Sequence, residues 1–168
     1  MSQLITMRPF VQRTTTSIVD CRFLISIVMP CLNEAKTLGG CIDQAHAGCL
    51  SAIRSRDLPD TAYEIIVADN ASTDESRRIA IEHNASVIGV SQRGYGAAIL
   101  GGIGVARGKY VLMGDSDGSY DFSEIPRFLK TLQSGYELVL GNRFTGTIQP
   151  GAMPWHHRYI GNPLEASH

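Results

Sequence analysis

Apolar residues along this chain fall in short, nearly unbroken runs separated by longer stretches of mixed polarity. Five runs read as strands: residues 24–29, 64–68, 86–90, 110–113 and 137–140, rich in Ile, Val and Leu and bounded by turn formers. Continuous rather than alternating apolar character suits strands covered on both faces. Between them, Leu38, Cys41, Ile42, Ala45 and Cys49 recur at three- and four-residue steps and predict a helix over 34–49 that lies against the sheet. Ser72-Thr73-Asp74-Glu75 has the spacing of a capping box and predicts a helix start, with Ile79 and Ile81 following. Ser123-Glu124-Ile125-Pro126 predicts another, since a first turn does not need the N–H that proline lacks. Phe128, Leu129 and Leu132 then face the core. Strand and helix alternate throughout, which predicts an α/β domain with a mostly parallel sheet.

Length and composition narrow this picture. A chain of 168 residues fits one domain with a substantial core. Residues 1–22 have no helical or alternating pattern and are expected to be a loose leader, residues 23–163 the domain, and 164–168 a tail. The tail follows Gly161-Asn162-Pro163 with no element to close, so the sequence reads as interrupted. A net charge of −1 and a pI near 6.5 argue against a nucleic-acid binder, which needs an electropositive footprint. The four cysteines, Cys21, Cys31, Cys41 and Cys49, form no C-x-x-C pair and have no histidine cluster beside them. Free thiols in a reducing compartment are expected, hence a cytoplasmic setting. His46 and His83 fall on predicted helices and are expected to be solvated. No apolar run approaches the roughly 18 residues of a membrane span.

In an open parallel sheet the ligand crevice lies beyond the carboxyl ends of the strands. The residues there are Pro30-Cys31-Leu32-Asn33-Glu34, Asp69-Asn70-Ala71-Ser72, Ser91-Gln92-Arg93-Gly94 and Asp115-Ser116-Asp117. Acids end three of the four strands. Asp115 and Asp117 carry the most information, because two carboxylates about 4 Å apart repel by roughly 1 kcal/mol in water and about 4 at an effective dielectric near 20. Such a pair favours a cation between its members, and Mg2+ or Mn2+ takes one or two carboxylates with phosphate oxygens and waters completing its shell. An ordinary turn is the competing reading, since aspartate beside Ser and Gly bonds its local backbone. Gly94-Tyr95-Gly96 invites comparison with a dinucleotide-binding turn, but the third glycine position of that motif is Ile99. The glycines here read instead as close-approach or packing positions, as do Gly101, Gly102 and Gly104.

With these residues in hand, the chain resembles the family 2 glycosyltransferases of the GT-A fold, most closely the branch similar to dolichyl- or polyprenyl-phosphate mannose and glucose synthases. The carriers are residues 28–34, 67–74 and 93–98, Gly114-Asp115-Ser116-Asp117 and Leu140-Gly141-Asn142-Arg143-Phe144. The resemblance implies a three-layer, Rossmann-like sandwich and a divalent ion, Mg2+ or Mn2+, held by Asp115 and Asp117. It further implies a nucleoside diphosphate sugar site built from Pro30, Asn33, Glu34, Asp69, Asn70, Ala71, Arg93, Gly94, Ala97, Asp115 and Ser116. Asp117 and Arg143 would act on the leaving diphosphate.

The implied reaction is inverting transfer of a hexose from a UDP- or GDP-sugar to a lipid phosphate, with the inner face of a membrane as a candidate place of work. A soluble or polysaccharide acceptor, or a remnant that binds nucleotide sugars without transfer, are the alternatives. The bland alternatives are that Glu34 serves a helix N-terminus through the macrodipole and that Arg143 pairs with Glu137 at the surface. Trp155-His156-His157-Arg158 reads either as an acceptor or membrane contact or as a tail.

Overall fold

Tyr63-Glu64-Ile65-Ile66-Val67-Ala68-Asp69 shows how this sequence builds its sheet: after Glu64, whose carboxylate is taken by Ser26 and Arg107, an apolar run with three β-branched residues leads to Asp69. A computed structural model describes residues 5–7 (backbone), 23–55, 59–60 and 62–141. The strands are β1 (Ile5–Met7), β2 (Ile25–Cys31), β3 (Tyr63–Asp69), β4 (Ser86–Gly89), β5 (Tyr110–Met113) and β6 (Leu138–Leu140). The helices are α1 (Leu38–Arg54), α2 (Ser76–Glu82), α3 (Tyr95–Val105) and α4 (Ile125–Gln133), the last preceded by a 3-10 turn at Phe122–Glu124. Sheet order is β4-β3-β2-β5-β1-β6. β4, β3, β2 and β5 run parallel, and β1 is antiparallel to both of its neighbours.

All seven residues of β2 and all four of β5 are buried, as runs covered on both faces should be. β4 and β6 are edges and remain partly exposed, with Leu138 and Leu140 half open to solvent. The main core lies on one face, where Ile25, Ile27 and Met29 meet Leu38, Ile42, Cys49 and Ile53 of α1 and Leu129 and Leu132 of α4. Each such aliphatic side chain contributes about 1.5–3 kcal/mol by leaving water. The opposite face carries a thinner cluster of Val28, Val111 and Met113 under Ile99 and Ile103 of α3. Three layers result.

Several expectations change. The leader expected to be loose supplies β1, inserted between β5 and β6; three residues are too few to show periodicity in sequence. The first helix begins at Leu38 rather than 34, because residues 35–37 form a turn. The capping box does not cap: α2 starts at Ser76 without a side-chain cap, and Ile81 is exposed. His46 is not solvated, since Nδ1 lies 2.8 Å from Tyr63 Oη and Nε2 2.9 Å from the His83 carbonyl oxygen. His83 in turn pairs with Asp43 at 2.7 Å. Cys31, Cys41 and Cys49 are free and buried, while Cys21 lies outside the described residues. No helix among the described residues is long and apolar enough to cross a membrane.

Candidate functional site

β2 leads into β3 and β4 on one side, and the chain then crosses back to β5 on the other. A crevice forms at that reversal, outside the carboxyl ends of the strands. Its register is set by Cys31 beside Asp69 and Val28 beside Met113, so residues 114–117 pass along the end of β2. A cleft of about 360 Å³ opens there, within the range of small-molecule sites. Pro30, Cys31, Leu32 and Glu34 form one wall, Asn70 and Arg93 to Tyr95 a second, and Asp115 to Asp117 a third.

Two loops interlock to hold the first wall. The backbone N–H groups of Asn33, Glu34 and Ala35 donate in turn to Ser72 Oγ (3.0 Å), Ser76 Oγ (2.9 Å) and Asp74 Oδ2 (3.0 Å). Asn33 Oδ1 accepts from the Thr73 N–H at 2.7 Å. Ser72 and Asp74 therefore satisfy the loop after β2, and Asp74 Oδ1 accepts from the Ser76 N–H at the start of α2 as well. Ser76 and the neighbouring amides hold the Asp74 carboxyl below its ordinary range. Asn33 and Ala71 adopt positive φ, 59° and 70°, a strained backbone that these bonds overdetermine.

Asn70 sets the second wall. It is 7% exposed, and its amide donates to the carbonyls of Val90 (3.3 Å) and Gln92 (2.8 Å) while Oδ1 accepts from the Gly94 N–H (2.7 Å). Gly94 has φ 124°, which favours glycine there. A Cβ at Gly102 would meet Val28 Cγ1 at 2.3 Å, and one at Gly101 would meet Val90 Cγ2 at 2.8 Å. The packing reading thus holds for these two; Gly104 has nothing within 4 Å.

Ser116 anchors the third wall. Its buried hydroxyl donates to the Pro30 carbonyl at 2.9 Å, and its own carbonyl accepts from Thr37 Oγ1 at 2.7 Å. The flanking aspartates differ. Asp117 is exposed and accepts from the Ser119 N–H at 2.8 Å, the local turn bond that aspartate favours. Asp115 is half-buried, and Tyr95 Oη donates to its Oδ1 at 2.7 Å. Burial pushes the Asp115 carboxyl up, and the negative charge of Asp117 adds to this; hydrogen bonds from Tyr95 and Tyr120 oppose it. A cation beside the pair would favour both ionised forms.

Two carboxylates make a hard, incomplete donor set. Among the described residues no group of three or more His, Cys, Asp or Glu side chains gathers to hold an ion. Mg2+ or Mn2+ can take a pair of carboxylates such as Asp115 and Asp117 with phosphate oxygens and waters completing its shell.

Of the expected residues, the cleft wall collects Pro30, Glu34, Asn70, Arg93, Gly94, Asp115, Ser116 and Asp117. Asn33, Asp69, Ala71 and Ala97 are not on it. Asp69 is 2% exposed, accepting from the Ser72 N–H at 3.2 Å and lying 3.6 Å from Arg77 Nε, so its charge braces a loop. Arg143, like Trp155 to Arg158, lies outside the described residues. Cys31 and Leu32, in the expected strand-end segment but given no role there, line it too, as do Tyr95 and Ala98. The sequence signal for Tyr95 is its place between Gly94 and Gly96, just after a strand end.

Comparison with known proteins supplies what geometry leaves open. The family model described as glycosyl transferase family 2 matches residues 26–167. A low-salt glycan biosynthesis hexosyltransferase of Haloferax volcanii is 40% identical over 141 residues, covering 83% of this chain and 32% of that protein. Human dolichyl-phosphate beta-glucosyltransferase is 36% identical over 118 residues, covering 64% of this chain and 35% of the relative. The chain spans about a third to a half of the length of the curated relatives it matches. A crystal structure of glucosyl-3-phosphoglycerate synthase from Mycobacterium tuberculosis superposes with a TM-score of 0.57 at 21% identity, over 94% of this chain and 56% of that one. The architecture is the GT-A fold, and the chain belongs to glycosyl transferase family 2.

Proposed function

We propose that this chain carries the donor site of a hexosyltransferase that moves a sugar from a nucleoside diphosphate to a polyprenyl or dolichyl phosphate, with inversion. The observation that carries the reading is the meeting of Asp115 and Asp117 with Arg93 and the Pro30–Glu34 loop around one cleft at the strand reversal. Lipid phosphates are the acceptors in the names of two relatives: the human glucosyltransferase, and the undecaprenyl-phosphate 4-deoxy-4-formamido-L-arabinose transferase of Pseudomonas aeruginosa, 33% identical over 123 residues.

In this reading the walls at Pro30, Glu34 and Asn70 receive the nucleoside, with Asn33, Asp69, Ala71 and Ala97 shaping the loops and helix behind them. Arg93 faces the phosphates, and Arg143 is assigned the same task. Asp115 and Asp117 hold Mg2+ or Mn2+. When bound, the ion supplies positive charge that stabilises the departing diphosphate more in the transition state than before it. The acceptor phosphate oxygen bonds to the anomeric carbon as the bond to the diphosphate oxygen breaks. Because that phosphate is already anionic, the chain needs no general base of the kind that a sugar hydroxyl demands.

The test supplies purified protein with Mn2+, labelled UDP- or GDP-hexose, and dolichyl phosphate beside water-soluble acceptors. Label extracted with the lipid supports the proposal. Label confined to the soluble acceptors, or transferred to none, contradicts it.

A further inference from the structure

The Asp115 carboxylate is held from the side by a group that the donor-site reading leaves without a task. Tyr95 is the first residue of α3, immediately after the Gly94 turn, and its hydroxyl donates to Asp115 Oδ1 at 2.7 Å. Tyr120, from the loop after β5, also favours the ionised form of that carboxylate. The Tyr95 ring is 58% exposed and lines the cleft, so little packing depends on it. Its backbone, by contrast, is fixed: the Asn70 clamp on Gly94 and the close fit of Gly102 on Val28 determine where α3 begins.

We infer that Tyr95 is a positioning residue for the divalent ion, its phenol fixing the rotation of the Asp115 carboxylate by occupying Oδ1 so that Oδ2 is left for the ion. This rests on the donor-site reading. A carboxylate turns about its terminal torsion over a broad, shallow well, so an unbraced Asp115 would present either oxygen or neither. Partners that hold a ligand's second oxygen typically account for 10–100-fold in metal affinity. Asp117 has its own brace in the Ser119 N–H, so each member of the pair has one oxygen committed to the protein. Competition between the phenol and the ion is the opposite possibility, and it predicts the opposite sign.

Tyr95→Phe removes the hydroxyl and keeps the ring. Mn2+ is titrated into wild-type and Tyr95→Phe protein by calorimetry in the presence of UDP and, separately, GDP, with thermal midpoints of the metal-free proteins measured alongside. The inference expects Mn2+ to bind 10–100-fold more weakly to the variant, with the thermal midpoint of the metal-free protein unchanged. Unchanged or tighter Mn2+ binding in Tyr95→Phe overturns the positioning role while leaving the donor site standing. A wild-type protein that binds no Mn2+ with either nucleotide overturns both.

Discussion

The Ser116 hydroxyl and the Pro30 carbonyl oxygen, 86 residues apart in sequence, meet at 2.9 Å in a buried hydrogen bond that ties the end of β5 to the end of β2. Because the middle residue of Asp115-Ser116-Asp117 is the buried anchor, the acids on either side reach the cleft. Ser116→Ala leaves a buried carbonyl unpaired and is expected to cost about 1–3 kcal/mol in urea unfolding. Metal-dependent nucleotide binding should weaken as well, because the turn loses its tether. A variant with wild-type stability and binding would remove Ser116 from the account.

Asn70 tests the second wall. Asn70→Ala deletes all three bonds to the loop before α3, with an expected cost of about 2–3 kcal/mol. Asn70→Asp keeps the acceptor for the Gly94 N–H but sets a carboxylate oxygen against the Val90 and Gln92 carbonyls. It should be no more stable than the alanine variant. Amide exchange at Gly94 should accelerate in Asn70→Ala; protection equal to wild type would show that the loop holds its shape by other means.

Gly102 fixes the distance between α3 and the sheet. Its Cβ position lies 2.3 Å from Val28 Cγ1, and a β-branched valine has little rotamer freedom to yield. Gly102→Ala should destabilise by about 1–3 kcal/mol through overpacking. Adding Val28→Ala should recover part of that loss, since contacting residues do not behave additively. A double variant as unstable as the sum of the two singles would contradict the contact.

Alkaline stability follows from Cys49. Burial pushes this thiol up from an ordinary 9.0 to about 12. Between those values the unfolded chain loses the proton that the folded chain keeps. The stabilisation is complete below about pH 9 and falls by about 1.4 kcal/mol per pH unit as pH rises through the window to 12. Cys49→Ala removes this contribution, so wild type should lose stability more steeply than the variant across that range. Parallel stability curves above pH 9 would contradict it.

Much of the fold was legible because burial on both faces leaves a plain mark: Ile25 to Met29, Tyr63 to Ala68 and Tyr110 to Met113 contain few residues that want water. The periodic stripe of Leu38, Cys41, Ile42, Ala45 and Cys49 is buried throughout, as read. What failed to show was tertiary. Ser72 and Asp74 are spaced as a local cap, yet they also satisfy amides 39 residues upstream, those of Asn33 and Ala35. His46 looked solvated because nothing nearby in sequence announces Tyr63 Oη as its partner. In the site, an acid at a strand end proved an incomplete guide: Asp115 and Asp117 line the cleft, while Asp69 is turned into its own loop against Ser72 and Arg77. Strand position specifies the edge; the side-chain direction depends on neighbours that sequence does not order.

The central claim is that Asp115 and Asp117 form a metal-dependent site for a nucleoside diphosphate sugar. Calorimetric titration of UDP- and GDP-hexoses into the protein, with Mn2+ and with chelator, tests it most directly when wild type is compared with Asp117→Ala. The account predicts donor binding that requires the ion and falls at least tenfold in the variant. Binding that is indifferent to the ion, or equal in Asp117→Ala, would contradict it.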